Sequence, residues 1–223
     1  MRYKLPGLFI FVLIAFGSVY AQAQAPSATP SPAPSAAPAK SKLDELIEKA
    51  KKGDRTLDFT ELRITFYESA NYNPHAPMMT YRQLWGALVQ KNYAEAIKIA
   101  DSVLERNFVE INAHLVAQAA HQETGNSERA QFHKFMADGL LNSIKSKGDG
   151  KSTSTAFEVI SINEEYGLVR SIGQRPIHQS LVQEKGHFFD ALTVVDPQTN
   201  QQSVIYFNVD RPFNWSPRQQ NPK

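Results

Sequence analysis

The stretch "KSKGDGKSTSTAF", residues 145–157, marks the point at which the periodicity of the sequence changes. Before it, apolar residues recur every three or four positions, which is the spacing of amphipathic helices. After it, runs rich in β-branched and aromatic residues indicate strands. The sequence therefore predicts an α+β fold. Antiparallel helical hairpins would occupy residues 41–147, and a small antiparallel β-sheet over residues 148–210 would pack on them.

The same stretch contains Gly150-Lys151-Ser152, which resembles the end of a phosphate-binding loop. Such a loop needs a glycine five residues before its Gly-Lys pair, where this chain has Lys145. It also needs a strand before it and a helix after it, whereas the predicted order here is the reverse. We therefore interpret the stretch as a glycine cap that ends the long helix, followed by a polar turn. No nucleotide or other cofactor is expected.

Capping patterns and apolar spacing predict six helices upstream of this stretch. They begin at or next to Ser41, Asp58, Thr80, Tyr93, Val109 and Ser127. The segment "NYNPHAP", residues 71–77, contains two prolines and separates the second helix from the third.

A repeat is present in these helices. Asn92–Ile97 resembles the junction between the two helices of a tetratricopeptide repeat, and a shift of 34 residues places it on Asn126–Gln131. Small residues, Ala96 and Ala130, occupy equivalent places. The pattern predicts a tetratricopeptide-like helical layer, and a generic helical bundle is the alternative.

In such a layer the first helix of each pair lines a concave face. On this register the predicted binding face carries Tyr81, Trp85, Asn112, Leu115 and Gln122. Aromatic rings would supply contact area and amides would hold the backbone of an extended peptide. The structural alternative for Trp85 is core packing.

Four strands are predicted after the turn. They cover Phe157–Ile162, Tyr166–Ile172, Phe188–Val195 and Val204–Val209. Glu164 and Glu165 would then lie in a solvated turn between the first two strands. Residues 211–223 form a polar tail, whose start Phe213 and Trp215 would attach to the body.

The N-terminus has the pattern of a signal peptide. Arg2 and Lys4 precede an apolar run, Leu8–Tyr20, and small residues follow it. This run of about 13 residues is shorter than the ~20 that a membrane-spanning helix needs. We expect cleavage near residue 23, a linker rich in Pro, Ala and Ser over residues 24–40, and no integral membrane segment afterwards. The protein would be exported, either periplasmic or extracellular.

Composition excludes several function classes. Of the 24 lysines and arginines, Arg2 and Lys4 belong to the predicted signal peptide, so the mature chain has 22 basic and 22 acidic residues. This balance does not favour nucleic acid as a partner. The chain has no cysteine, and hence neither disulfides nor a thiol nucleophile.

The spacing of the histidines in the sequence does not indicate a metal site. His114 and His121 lie on one helix face but about 10 Å apart along its axis, which is too far to share one ion. His178, His187 and Asp190 fall in the predicted sheet and form only a weak candidate for a metal or acid–base site.

Three segments together resemble a known family. They are "LRITFYESANYNP", "GDGKSTSTAFEVISINEEYGLVRSIG" and "VIYFNVD", within residues 45–210. They resemble a group of exported bacterial proteins known only as a domain of unknown function. The resemblance implies a compartment and a layout of helices followed by a short sheet. It implies no activity and no functional residues.

These observations favour a non-catalytic scaffold that binds a protein or peptide of the cell envelope. The alternative is an exported hydrolase with its site between helices and sheet, and a small-ligand carrier is a third possibility. A deep pocket with clustered polar side chains would favour the enzyme. A shallow groove open at both ends would favour the scaffold.

Overall fold

Six α-helices precede the sheet, as the periodicity predicts. The computed structural model describes residues 40–74 and 79–216, so the predicted signal peptide, nearly all of the linker and the end of the tail lie outside the described residues. The helices are α1 (Lys42–Lys51), α2 (Phe59–Tyr67), α3 (Met79–Val89), α4 (Tyr93–Arg106), α5 (Ile111–Glu123) and α6 (Ser127–Lys145).

The predicted caps position the first two helices. The Ser41 hydroxyl accepts a hydrogen bond from the Asp44 backbone N–H at 3.2 Å, and the Asp44 carboxylate accepts one from the Ser41 N–H, also at 3.2 Å. Asp58 accepts bonds from the N–H groups of Thr60 and Glu61 at 2.8 and 3.0 Å. Each cap satisfies N–H groups that have no partner within the helix.

The turns of two helical hairpins, α3–α4 and α5–α6, repeat at a distance of 34 residues. Lys91 and Gly125 have positive φ angles of 57° and 77°. The next residues, Asn92 and Asn126, each donate a backbone bond to the carbonyl five residues earlier, at 2.9 and 2.8 Å. Both asparagine side chains then cap the following helix. The equivalent turns lie at the spacing that the sequence repeat predicts.

The turn after α6 differs from the prediction. The helix ends at Lys145 and its cap is Ser146, so the expected glycine cap is wrong. Gly148 is needed for close approach instead, because a Cβ atom there would lie 2.2 Å from the Thr155 carbonyl oxygen. That oxygen accepts the N–H groups of Asp149 and Gly150 at 3.0 and 2.8 Å. The turn is thus fastened to the chain that leads into the sheet.

The sheet has four strands among the described residues, in the order β1-β4-β3-β2. They are β1 (Phe157–Glu158), β2 (Arg175–Glu184), β3 (His187–Val195) and β4 (Gln202–Asn208). β1 is parallel to β4, and the other pairs are antiparallel. The predicted α+β class is confirmed, with a sheet that is mostly antiparallel.

Two predicted strands need correction. The segment expected to be a strand over Tyr166–Ile172 belongs to a helix, α7 (Ile162–Ser171), and the strand expected over Phe157–Ile162 has only two residues. α7 packs on α5, where a Cβ atom on Gly167 would lie 3.0 Å from Ile111 Cγ2. Packing against α5 overrides the local preference of β-branched residues for strands.

One strand, β2, is absent from the prediction. It is an edge strand with mostly exposed side chains, so it carries no continuous apolar run. It joins β3 through Lys185 and Gly186, which both have positive φ angles, 51° and 85°. A two-residue turn of this type matches the right-handed twist of a hairpin.

The helices and the sheet share one core. It joins Leu62 of α2 and Leu140 of α6 to Leu192 of β3 and Phe207 of β4, all of them buried. After β4, a short helix α8 (Asp210–Phe213) places the Phe213 ring against Phe188 with the ring centroids 4.0 Å apart. Among the described residues, no helix combines the length and apolar character that a bilayer crossing requires.

Candidate functional site

α7 carries two adjacent carboxylates into the protein interior. Glu164 and Glu165 are 3% and 0% exposed, so the predicted solvated turn is wrong. Isolated charges are costly in an apolar interior. Glu164 has a charged partner, whereas among the described residues neither oxygen of Glu165 has a hydrogen-bond donor.

Glu164 forms a two-pronged ion pair with Arg63 of α2. The Arg63 Nε and Nη2 atoms donate to the two carboxylate oxygens at 2.8 and 2.6 Å. Arg63 also donates to the Glu158 carbonyl at 3.1 Å and to the Ser143 hydroxyl at 3.2 Å. The pair connects α2, α6, α7 and the start of the sheet. Its role is structural.

Glu165 lies against another carboxyl group, that of Asp190 on β3. Burial and the Asp190 charge raise the pKa of Glu165 well above its ordinary value. Neither oxygen of Glu165 has a hydrogen-bond donor among the described residues, and burial without a donor favours the neutral, protonated acid. Gln179 Nε2 donates to Asp190 at 2.6 Å, and the Tyr166 hydroxyl donates to Gln179 Oε1 at 2.8 Å. A chain of hydrogen bonds thus runs from the buried acid pair to Tyr166.

A third buried carboxyl group, Glu110, caps the start of α5. It accepts the backbone N–H and the side-chain Nδ2 of Asn112, both at 3.2 Å, and Asn107 Nδ2 at 3.4 Å. Burial raises the pKa of Glu110, and hydrogen bonds from Tyr81 and Asn112 act against that rise. Asn112 Nδ2 also donates to the Asn163 carbonyl at 3.0 Å, which ties α5 to α7.

Two cavities lie on either side of Tyr81 and Asn163, which line both of them. The larger one, here called the polar cavity, has a volume of about 730 Å³. Its polar lining includes Asn71, Asn73, Tyr81, Glu105, Arg106, Asn107, Glu110, Ser161, Asn163 and Glu164. It is therefore rich in amides and carboxyl groups.

The smaller one, here called the arginine cavity, has a volume of about 430 Å³. It is lined by Tyr81, Arg82, Trp85, Asn112, Asn163, Tyr166 and Arg170. The Arg170 guanidinium carbon lies 4.1 Å from the centroid of the Trp85 ring, in a cation–π contact. Three aromatic rings, two guanidinium groups and two amides meet there.

Three of the five residues predicted for the binding face line the arginine cavity: Tyr81, Trp85 and Asn112. Leu115 packs partly buried against the core that helices and sheet share, and Gln122 is exposed near the end of α5. Trp85 also packs on a second apolar cluster formed by α3, α4 and α5.

Residues of α7 complete the cavity and are absent from the sequence-based site. Asn163, Tyr166 and Arg170 fall three and four residues apart, so they lie on one face of the helix. This spacing of three and four residues is the sequence signal for a helix face. It was missed because the segment was predicted to be a strand.

His114, His121 and His133 meet between α5 and α6, and the His121 ring stacks on His133 with the centroids 5.6 Å apart. The hydrogen bonds of His114 and His133 have one consistent direction: Arg129 donates to His133, His133 donates to His114 Nδ1 at 3.0 Å, and His114 Nε2 donates to the Phe108 carbonyl at 2.9 Å. Burial lowers the pKa of His114 to about 4 and that of His133 to about 3. Both rings are therefore neutral. Within the described ranges, no three His, Asp or Glu side chains are arranged to hold a metal ion.

The three residues of the weak metal or acid–base candidate in the sheet region, His178, His187 and Asp190, are separated in the structure. His187 Nδ1 lies 2.6 Å from Asp210 at the surface, whereas Asp190 points to Glu165 and Gln179. His178 lies exposed on β2. The structure does not bring the three together as an acid–base site.

The comparisons with known proteins agree with the resemblance of the three sequence segments. A family model described as Domain of unknown function (DUF4919) matches residues 38–218. A search of curated proteins found no match, and neither did a search of solved structures. The match covers the helices, the sheet and both cavities, and the chain belongs to this family.

Proposed function

We propose that this protein is exported to the cell envelope and binds a protein or peptide segment there without catalysing a reaction. The arginine cavity is the observation that carries the proposal. Its side chains are those enriched at protein interfaces, because aromatic rings and arginine supply contact area and directed hydrogen bonds. The polar cavity shares Tyr81 and Asn163 with it, so the two cavities are neighbours.

The bonding of the buried carboxyl groups supports binding rather than catalysis. Glu164 is neutralised by Arg63, and burial beside Asp190 raises the pKa of Glu165. A catalytic acid or base must reach the atom to which it transfers a proton. Neither of these two carboxyl groups lines the arginine cavity.

Trp85→Ala is expected to lower the affinity for the envelope partner by about tenfold or more, because interface tryptophans contribute strongly to binding. The matched control is Leu88→Ala, since Leu88 packs partly buried on the same apolar cluster but lines neither cavity. The measurement is a pull-down from envelope extract, followed by titration of the identified partner and thermal unfolding of both variants. Equal losses of affinity in the two variants, or unfolding of Trp85→Ala alone, would contradict the proposal.

Export has a direct test in the N-terminus of the mature protein. We expect intact-mass analysis of the protein purified from bacterial envelope fractions to show removal of the first 21–23 residues, because Ala21 and Ala23 complete the cleavage patterns. Replacing Leu13 and Ile14 with Asp should block processing, since the apolar run would be interrupted. A full-length protein in the cytoplasmic fraction would refute this part of the proposal.

The polar cavity favours one alternative, an exported hydrolase. Glu110 lies buried in its lining with a raised pKa, which is the condition of many general acids. Hydrolysis of ester, amide or glycoside substrates that disappears in Glu110→Gln, while the variant stays folded, would support the enzyme over the scaffold.

A further inference from the structure

Two guanidinium groups in the arginine cavity have no acidic partner. Within residues 40–74 and 79–216, Arg82 and Arg170 form no ion pair and no hydrogen bond through their side chains. Three of the other arginines have an acidic partner, whereas Arg55, Arg106 and Arg175 have none within the described ranges. Arg63 pairs with Glu164 at 2.6 Å, Arg211 with Glu158 at 2.7 Å, and Arg129 lies 3.9 Å from Asp101.

Arg170 is also held in place. Its guanidinium stacks over the Trp85 ring, which fixes the orientation of the planar group while leaving its N–H donors unused. Desolvation lowers the pKa of Arg170, which is the sign of a cation that has lost part of its water without gaining a counter-ion.

The acidic side chains near the cavity are committed elsewhere. Glu164 is bound to Arg63, Asp190 accepts from Gln179, and Glu110 accepts from Asn112. None of these carboxyl groups forms a hydrogen bond or an ion pair with Arg170. The cavity therefore presents positive charge that a ligand can complement.

We propose that the arginine cavity binds a carboxylate of an acidic peptide segment, through Arg170 with Arg82 beside it. This rests on the proposed function and specifies the partner of the same site. A guanidinium group and a carboxylate form two parallel hydrogen bonds, which is the strongest polar contact that an arginine offers. The rings of Tyr81, Trp85 and Tyr166 contact the apolar part of the segment.

One of the amide groups that line the cavity, that of Asn112, has an oxygen atom that can bind the peptide backbone. Asn112 Nδ2 is used by Glu110 and by the Asn163 carbonyl, so Asn112 can offer a ligand only its oxygen, an acceptor for a peptide N–H. A peptide provides both the carboxylate and the N–H, which a simple carboxylic acid does not.

The test is an array of short synthetic peptides that contain Asp or Glu, each with a matched peptide in which Asn or Gln replaces the acid. The protein is the full processed chain, and the variants are Arg170→Gln and Arg82→Gln. Arg175→Gln is the control, because Arg175 is exposed, as Arg82 and Arg170 are, but lies at the start of β2 and lines neither cavity. Thermal unfolding shows whether each variant is folded. The Arg82 side chain forms no hydrogen bond or ion pair within the described residues, so its variant tests the site even if Arg170→Gln unfolds.

We expect the wild type to bind acidic peptides about tenfold or more tightly than their amide counterparts, since a charged hydrogen bond contributes about 1.5–3 kcal/mol. Arg170→Gln should abolish this preference, Arg82→Gln should reduce it, and Arg175→Gln should keep it. The preference should also weaken with added salt.

Other outcomes would overturn the inference in distinguishable ways. Equal binding of acidic and neutral peptides, or an unchanged preference in Arg170→Gln, would refute the acidic ligand but keep peptide binding. No peptide bound at all would refute both this inference and peptide binding as the function. Binding of oligogalacturonate or citrate in place of peptides, lost in Arg170→Gln, would reassign the site to an anionic sugar or a small acid.

Discussion

Arg63→Met is expected to lower the free energy of unfolding by about 3–5 kcal/mol, because it leaves the Glu164 carboxylate buried without a counter-charge. Glu164 would keep only the Ile160 backbone N–H, which now donates to it at 2.9 Å. The Ser143 hydroxyl and the Glu158 carbonyl would also lose a donor. The loss is measured by urea unfolding of the variant and the wild type at neutral pH, where both should show the same slope of unfolding free energy against urea concentration.

The control for this prediction is the same substitution at a more exposed pair. Arg211 contacts Glu158 at 2.7 Å, with the two side chains 33% and 41% exposed. Arg211→Met should cost about 1 kcal/mol or less, since water screens such pairs. The double variant Arg63→Met/Glu164→Leu should recover part of the stability, because no charge is then left buried. A cost below that of Arg211→Met would show that Glu164 finds another partner.

Glu165→Gln is expected to remove a loss of stability that the wild type suffers as pH rises. The folded pKa of Glu165 is raised, so its contribution to stability is complete below the ordinary pKa of 4.5 and is lost as pH rises through the folded value. A glutamine amide carries no charge at any pH. The variant should therefore gain on the wild type between pH 5 and pH 9, and the gain should level off once pH exceeds the folded pKa of Glu165.

The measurement is urea unfolding of both proteins across that range, and the difference between them is the quantity to plot. The lowered pKa values of His114 and His133, about 4 and about 3, make stability fall as pH drops below 6.5, but both proteins share that effect. Asp190→Asn is the second variant, because it removes the charge that helps to raise the pKa of Glu165. A constant difference between Glu165→Gln and the wild type would refute the raised pKa of Glu165.

The helical half of the fold could be predicted because its signals are local. Ser41, Asp58, Asn92 and Asn126 each cap a helix through contacts within three residues. α7 could not be predicted in this way, since its buried face includes two glutamates. Glu164 becomes acceptable in the interior only through Arg63, a residue 101 positions away in the sequence. A contact of that range leaves no pattern in a local window.

In the sheet and the candidate site, too, the parts with a local sequence signal were predicted and the other parts were not. β3 and β4 carry apolar runs and were predicted, whereas the exposed edge strand β2 was not, although the Lys185-Gly186 pair was a usable turn signal. The predicted face on α3 and α5 contains Tyr81, Trp85 and Asn112, which do line the arginine cavity. The residues of α7 that complete the cavity, including Arg170, could be predicted only if α7 was assigned as a helix.

The strand order also determines when the fold can be completed during synthesis. β1 pairs only with β4, so Phe157 meets its partner Phe207 after another 50 residues of chain have been made. Until then the first strand has no neighbour, and the core beneath it lacks the Phe207 ring. Such long-range pairing slows folding, because a large loop must close before its contacts form. A chain that stops before Gln202 lacks β4, so β1 has no partner and β3 is unpaired on the side where β4 would lie.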